Sequence, residues 1–405
     1  MTTDAPPHVL VNQRPRGRIP VTLLTGFLGA GKTTLLNRLM AAPEMGDAAI
    51  FINEFGEIGV DHHLVERIDE ALVILDSGCL CCTVQGDLIT ELKRLHERMS
   101  RREIAPVSRV VIETTGLADP LPVVRALMED RYVAARFFCD GVVTVVDAMH
   151  GAEQLARHAE ARSQAVLADR LVLSKSPLAT PAARQALRAR LAELNPTAPL
   201  LDAARADPAA LFGGGLYAAE QAPEGLGDWL GFVPAPSAPG AALAPVHSHH
   251  SDRLRSFSVT LPPLAWRGFA LRIGEILQRY EGRLMRLKGI VEVEGVSAPL
   301  VVQCVQSVAY APVWLARWPA SGPIAPGHGA LVFIGEDLGP EEEAEIRVLL
   351  VDLPGDAAAL RGAASRPELP TRAWFNERLP LKVAKGLSAE GFVIQPRFLR
   401  DGARR

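Results

Sequence analysis

Between residues 20 and 232 seven short apolar runs, VTLL, AAIFIN, ALVILD, RVVIE, GVVTVVD, RLVLS and APLL, alternate with stretches of helical period. Runs of this length without polar alternation are strands covered on both faces, and the helices that cover them must lie in the crossovers. Residues 19–232 are therefore expected to form an α/β domain on a mostly parallel sheet. With 405 residues the chain has room for a second unit. The break is VPAPSAPGAALAPVHSHHSD, residues 233–252, a Pro/Ala/His linker whose composition cannot build a core. Beyond it RSFSVTL, AWRGFALRIGEILQRY, GRLMRLKGIVEVEG, APLVVQCVQSV and ALVFIG precede an acidic helix starting near Pro340. Strand, helix, three strands and helix predict a smaller α+β domain with an antiparallel sheet at residues 253–353. Residues 1–18 read as a flexible tail, and residues 354–405 as an appendage without clear period.

Composition excludes several classes. Lys and Arg total 43 against 46 Asp and Glu, so no global basic field exists to attract nucleic acid or an anionic membrane. No apolar run approaches the roughly 18 residues that span a bilayer, and MTTDAPPHVLVNQRPRGR has no signal-peptide core. A cytoplasmic protein is expected. Five cysteines, an odd number, fit free thiols or metal ligands better than a disulfide framework. Cys139 and Cys304 stand alone and are expected to be small buried hydrophobes.

After the strand VTLL comes Gly26-Phe-Leu-Gly29-Ala30-Gly31-Lys32-Thr33-Thr34, a full G-x-x-x-x-G-K-[ST] phosphate loop. Its glycines let backbone N–H groups face a phosphate. Lys32 is suited to neutralise the β and γ oxygens, and Thr33 to offer its hydroxyl to Mg²⁺. TTLLNRLM then puts Leu35, Leu36, Leu39 and Met40 on one face of a helix whose N-terminus receives the anion. Glu113 ends the strand RVVIE at the carboxyl edge of the sheet and is the best candidate for holding Mg²⁺ or orienting water. Gly116 is placed to present its N–H to the γ-phosphate. Asn53, Glu54, Glu57 and Asp61 leave another strand end as a candidate switch, which makes Lys32, Glu113 and Asp61 the catalytic candidates.

Gly78-Cys79-Leu80-Cys81-Cys82-Thr83 leaves the third strand. Three thiolates this close suit Zn²⁺, Cu⁺ or another thiophilic ion. A structural zinc site closes on four ligands from two separated pairs, and no second pair exists here, so the site is open to exchange. Glu54, Glu57, His150 or the linker residues His247, His249 and His250 are candidates to complete it. A redox switch is the competing use of the same thiols.

GFLGAGKTT, NEFGEIGVD, GCLCC, ETTGLADP and VVDAMH, in this order, resemble the CobW-like family of P-loop GTPases. The resemblance implies a GTP-hydrolysing metallochaperone. GTP and Mg²⁺ would sit on residues 29–34, metal would be carried by Cys79, Cys81 and Cys82, and Glu113 would belong to the switch. A client apometalloprotein and a nucleotide-dependent homodimer would be the partners. Zinc delivery is the leading expectation, with cobalt or iron insertion in a corrin or nitrile hydratase pathway as the same-class alternative. A P-loop kinase is the rival from another class. One departure concerns the base. The family's guanine-reading Asn-Lys-x-Asp aligns with Ser174-Lys175-Ser176-Pro177, where Pro177 has no acceptor and Lys175 retains a stem to pack along the ring. Relaxed base selectivity is the expectation.

Overall fold

The computed structural model describes residues 17–53, 72–75, 83–212, 254–315, 317–318 and 326–377. The first domain is a seven-stranded sheet in the order β3-β2-β4-β1-β5-β6-β7. Its strands are β1 (Ile19–Thr25), β2 (Ala48–Asn53), β3 (Leu72–Leu75), β4 (Arg109–Glu113), β5 (Phe137–Asp147), β6 (Arg170–Ser174) and β7 (Leu200–Asp202). All neighbouring pairs are parallel. These are the seven runs expected from sequence. Every residue of β5 is buried, as a central strand covered on both faces requires. The helices are α1 (Lys32–Met40), α2 (Thr83–Ser100), α3 (Leu121–Glu129), α4 (Arg131–Ala134), α5 (Gly151–Arg157), α6 (Ala159–Leu167), α7 (Pro181–Leu194) and α8 (Pro208–Leu211). In α1 the expected face is inward: Leu35, Leu36 and Leu39 are buried and Met40 packs beside them.

A parallel sheet has one functional consequence here. All its strands point the same way, so the chain leaves β1, β2, β3, β4, β5 and β6 at a common carboxyl edge.

The second domain contains β8 (Leu254–Leu261), α9 (Trp266–Arg279), β9 (Leu284–Glu292), β10 (Pro299–Val305), β11 (Val308–Ala309), β12 (Val313–Trp314), β13 (Gly329–Glu336), α10 (Pro340–Val351) and α11 (Asp356–Ala364). Its sheet is antiparallel, ordered β11-β10-β9-β13-β8 with β12 on β10. One face, with Leu287, Val291, Val302 and Phe333, packs on Phe269, Ile273 and Ile276 of α9. The opposite face, with Ile290, Val301, Val305 and Ala330, joins Phe137, Phe138 and Leu127 of the first domain in a continuous core.

Residues 354–377 are part of this second domain's packing. Trp374 is fully buried, stacks on Trp266 at 5.4 Å and donates its indole N–H to the Tyr310 carbonyl at 2.7 Å. Thr371 donates to the Ala270 carbonyl at 2.6 Å. A Cβ at Gly274 of α9 would overlap Thr371 and Leu369, so glycine permits this close approach. The alanine-rich helix α11 has little periodic contrast, and the anchoring tryptophan lies in a short 3₁₀ turn, Arg372–Asn376.

No described helix is long and apolar enough to cross a membrane.

Candidate nucleotide site

The phosphate loop forms because its backbone takes conformations open mainly to glycine. Gly26 has φ +144°, and a Cβ there would overlap the Val145 carbonyl oxygen of β5. Gly31 caps α1 at φ 89° without a side-chain cap, and no acidic residue occupies the first turn. The leading N–H groups of a nine-residue helix are thus left for an anion, as the dipole favours.

Side chains fix the loop from three directions. Lys32 Nζ donates to the Gly26 carbonyl at 2.9 Å, so its ammonium lies across the mouth of the loop. From β6, Ser174 Oγ donates to the Ala30 carbonyl at 2.6 Å and stands 3.2 Å from the Val146 carbonyl. Lys175, left-handed at φ 54°, donates to the Gly29 carbonyl and to Asp147 Oδ2, both at 2.7 Å. Asp147, buried at the end of β5, also accepts the Met149 amide at 2.7 Å. Thr34 is exposed on the first turn of α1.

The acid stands where its strand position predicts. Thr33 Oγ1 donates to Glu113 Oε1 at 2.7 Å, and Glu113 is only 5% exposed. A hydroxyl and a carboxylate this close form a hard oxygen pair of the type Mg²⁺ prefers. The following loop is pinned to β1: Thr114 donates its amide to the Leu24 carbonyl at 3.0 Å and its hydroxyl to Thr25 Oγ1 at 2.8 Å. Gly116 is buried against the phosphate loop, where a Cβ would come within 2.7 Å of the Leu28 backbone. Any larger residue would push the two loops apart.

Gly26, Gly29, Ala30, Gly31, Lys32, Thr33, Glu113, Gly116 and Lys175 therefore converge on one corner. His150 does not complete a metal site among the described residues: it is exposed at the N-terminus of α5, its amide 3.4 Å from Asp147 Oδ1. Among the described residues no group of three His, Cys, Asp or Glu side chains is placed to hold a metal ion. Cys79, Cys81, Cys82, Glu54, Glu57, Asp61 and the linker histidines lie outside the described residues. Cys139 and Cys304 are buried free thiols, and burial pushes Cys139 up to about 12 and Cys304 higher still.

Sequence reasoning gave no role to Asp147, although the rule that selected Glu113, an acid closing an apolar strand at the carboxyl edge, applies to it equally. Gln164 was also missed. It lies within α6, yet its Nε2 donates to the Gly116 and Ala118 carbonyls at 3.2 and 3.0 Å. No local pattern marks a helical glutamine for that contact.

The CobW/HypB/UreG nucleotide-binding domain matches residues 20–202, and the cobalamin synthesis protein cobW C-terminal domain matches residues 254–351. The chain is 32% identical over 329 residues to the zinc chaperone YjiA of Escherichia coli, covering 80% of this chain and 96% of that protein. The chain belongs to the CobW/HypB/UreG family of P-loop GTPases. It is also 33% identical over 313 residues to the zinc chaperone CobW of Pseudomonas aeruginosa, covering 71% of this chain and 80% of that one. The crystal structure of the Zn(II)-bound YjiA GTPase superposes with a TM-score of 0.57 at 29% identity, covering 83% of this chain and 99% of that one.

Residues 176–178 form a short 3₁₀ turn after Lys175, and Pro177 supplies no side-chain acceptor. Asp202, at the end of β7, is turned toward other partners. Burial pushes its carboxyl up, but the Ala204 amide, the Ser176 hydroxyl and the charges of Arg188 and Arg205 together hold it below the usual carboxylate range.

Proposed function

We propose that the protein is a GTP-hydrolysing metallochaperone that carries Zn²⁺ as cargo on Cys79, Cys81 and Cys82 and yields it to a client apometalloprotein. The observation that carries this reading is the common carboxyl edge. β3 ends at Leu75 on the same edge of the sheet as the end of β1, three strand spacings or about 14 Å from it, and Cys79, Cys81 and Cys82 follow β3 in sequence before α2 begins at Thr83. Between β3 and β1 stand β2, whose end at Asn53 opens the segment with Glu54, Glu57 and Asp61, and β4, which ends in Glu113. Relatives named zinc chaperones that match most of the chain support zinc over cobalt.

In this reading the loop amides and the α1 N-terminus bind the phosphates. Lys32 exchanges its bond to the Gly26 carbonyl for phosphate oxygens. Thr33 and Glu113 would hold Mg²⁺, which would supply charge neutralisation to the phosphates. Gly116 turns its N–H to the terminal phosphate. When that phosphate is released, the loops relax and the open thiolate site lets its ion go. With Pro177 in the base slot, GTP is bound with relaxed selectivity.

Competition with a chromogenic chelator tests the cargo site. The wild-type chain should hold one Zn²⁺, and the Cys79→Ser, Cys81→Ser, Cys82→Ser triple variant should lose at least about a hundredfold in affinity. Unchanged affinity in the triple variant would overturn the assignment.

A further inference from the structure

Helix α6 touches the phosphate loop, the Gly116 loop and the second domain. At its N-cap, the His158 ring lies on Phe27 of the phosphate loop with centroids 4.6 Å apart. In its body, Gln164 is 1% exposed and its amide nitrogen holds the Gly116 and Ala118 carbonyls. The Gln164 carbonyl accepts from Thr144 Oγ1 at 2.7 Å, which ties the helix to β5.

The C-terminal turn is held from two domains. Asn195 Nδ2 lies 2.9, 3.0 and 2.9 Å from the Ala165, Val166 and Ala168 carbonyls and shares its two N–H groups among them. The Leu167 carbonyl instead accepts from Arg286 Nη1 of β9, in the second domain. Arg286 also pairs with Asp169 Oδ1, two residues beyond the helix, and Lys288 Nζ stands 3.3 Å from the same oxygen. The other oxygen of Asp169 accepts the Val142 amide at 3.0 Å. Asp169, Arg286 and Lys288 are all nearly inaccessible to solvent. In a close-packed interior a shift at one end of such a chain of bonds has no solvent-facing slack to absorb it.

We propose that α6 is a relay from the nucleotide to the second domain. Gln164 acts as a positioning residue that follows Gly116 and Ala118, and Arg286 with Lys288 turns displacement of the last helical turn into a change in how the second domain is held. The relay rests on the reading that the Gly116 loop responds to the terminal phosphate.

Hydrogen–deuterium exchange on the full chain tests it, comparing GDP with Mg²⁺ against a non-hydrolysable GTP analogue with Mg²⁺. Nucleotide binding is checked separately by titration. Amides of residues 284–292 should differ between the two states by about threefold or more in exchange rate. In Gln164→Met that difference should vanish, while nucleotide affinity stays within about threefold and residues 113–118 still respond. Arg286→Lys keeps a charge beside Asp169 but loses the fork that reaches Leu167, and should shrink the difference without abolishing folding. Tight binding with no wild-type difference at residues 284–292, or a full difference surviving in Gln164→Met, would overturn the relay. Absence of nucleotide binding in the titration would overturn the GTPase reading, and the relay with it.

Discussion

At the carboxyl edge of the parallel sheet, cationic and hydroxyl side chains reach backbone carbonyls of the phosphate loop: Lys32 to Gly26, Lys175 to Gly29 and Ser174 to Ala30. In the seam between the domains, Arg286 and Lys288 reach a carboxylate, Asp169, and the cluster is sealed from water. A neutral bond of the first kind is worth about 0.5 to 1.5 kcal/mol net and one from an ammonium about 1.5 to 3 kcal/mol, so a charged phosphate oxygen can displace it. Removing one partner of a buried pair strands a charge and costs about 3 to 5 kcal/mol. The same residue types therefore serve exchange in one place and permanence in the other.

The sharpest way to break this contrast is in the seam. Arg286→Met should lower stability by about 3 to 5 kcal/mol in denaturant titration, because Asp169 and the Leu167 carbonyl lose a shared partner. A loss under 1 kcal/mol would show that the seam is as dispensable as a surface pair. Next in size, Lys32→Ala should reduce GTP turnover by roughly 10² to 10³ while moving the unfolding midpoint little, since its role is toward the ligand. Equal losses of stability and turnover would erase the distinction between the two regions.

A smaller effect lies in pH. Burial, reinforced by Arg286, lowers Lys288 from 10.5 to about 7, against the pull of Asp169. Below about 7 the amine is charged in both folded and unfolded chains. Between about 7 and 10.5 the unfolded chain holds a proton that the folded chain does not, so this group makes stability rise with pH, by at most about 1.4 kcal/mol per unit. Denaturation at pH 7 and pH 9 should show that rise in the wild type and a flatter response in Lys288→Met. The smallest effect concerns the base slot: GTP and ATP affinities should lie within about tenfold, about 1.4 kcal/mol. Discrimination of a hundredfold or more would mean that another group reads guanine.

Much of the first region was legible in the sequence because its chemistry is local. A strand, nine motif residues and a helix are contiguous, so Gly26 to Thr34 could be placed before any coordinates. Glu113 followed from one rule about strand ends. The seam was not legible, because its pattern is degenerate. Arg286 and Lys288 alternate with apolar Leu287 in MRLKGIV, which reads as a strand with one wet face, and only the packing of the first domain turns that face into an interior. Gln164 was hidden for the same reason: its partners, Gly116 and Ala118, are 48 and 46 residues away in the chain. Trp374 sits in a segment without period, and its burial depends on Trp266 and Tyr310, far upstream.

The link between phosphate and metal is tested most directly by Zn²⁺ affinity, measured by chelator competition with Mg²⁺ and either GDP or a non-hydrolysable GTP analogue. The dissociation constant should be at least about tenfold lower with the analogue, and the gap should close when Cys81 and Cys82 are changed to Ser. Identical affinities in the two nucleotide states would contradict nucleotide-gated release.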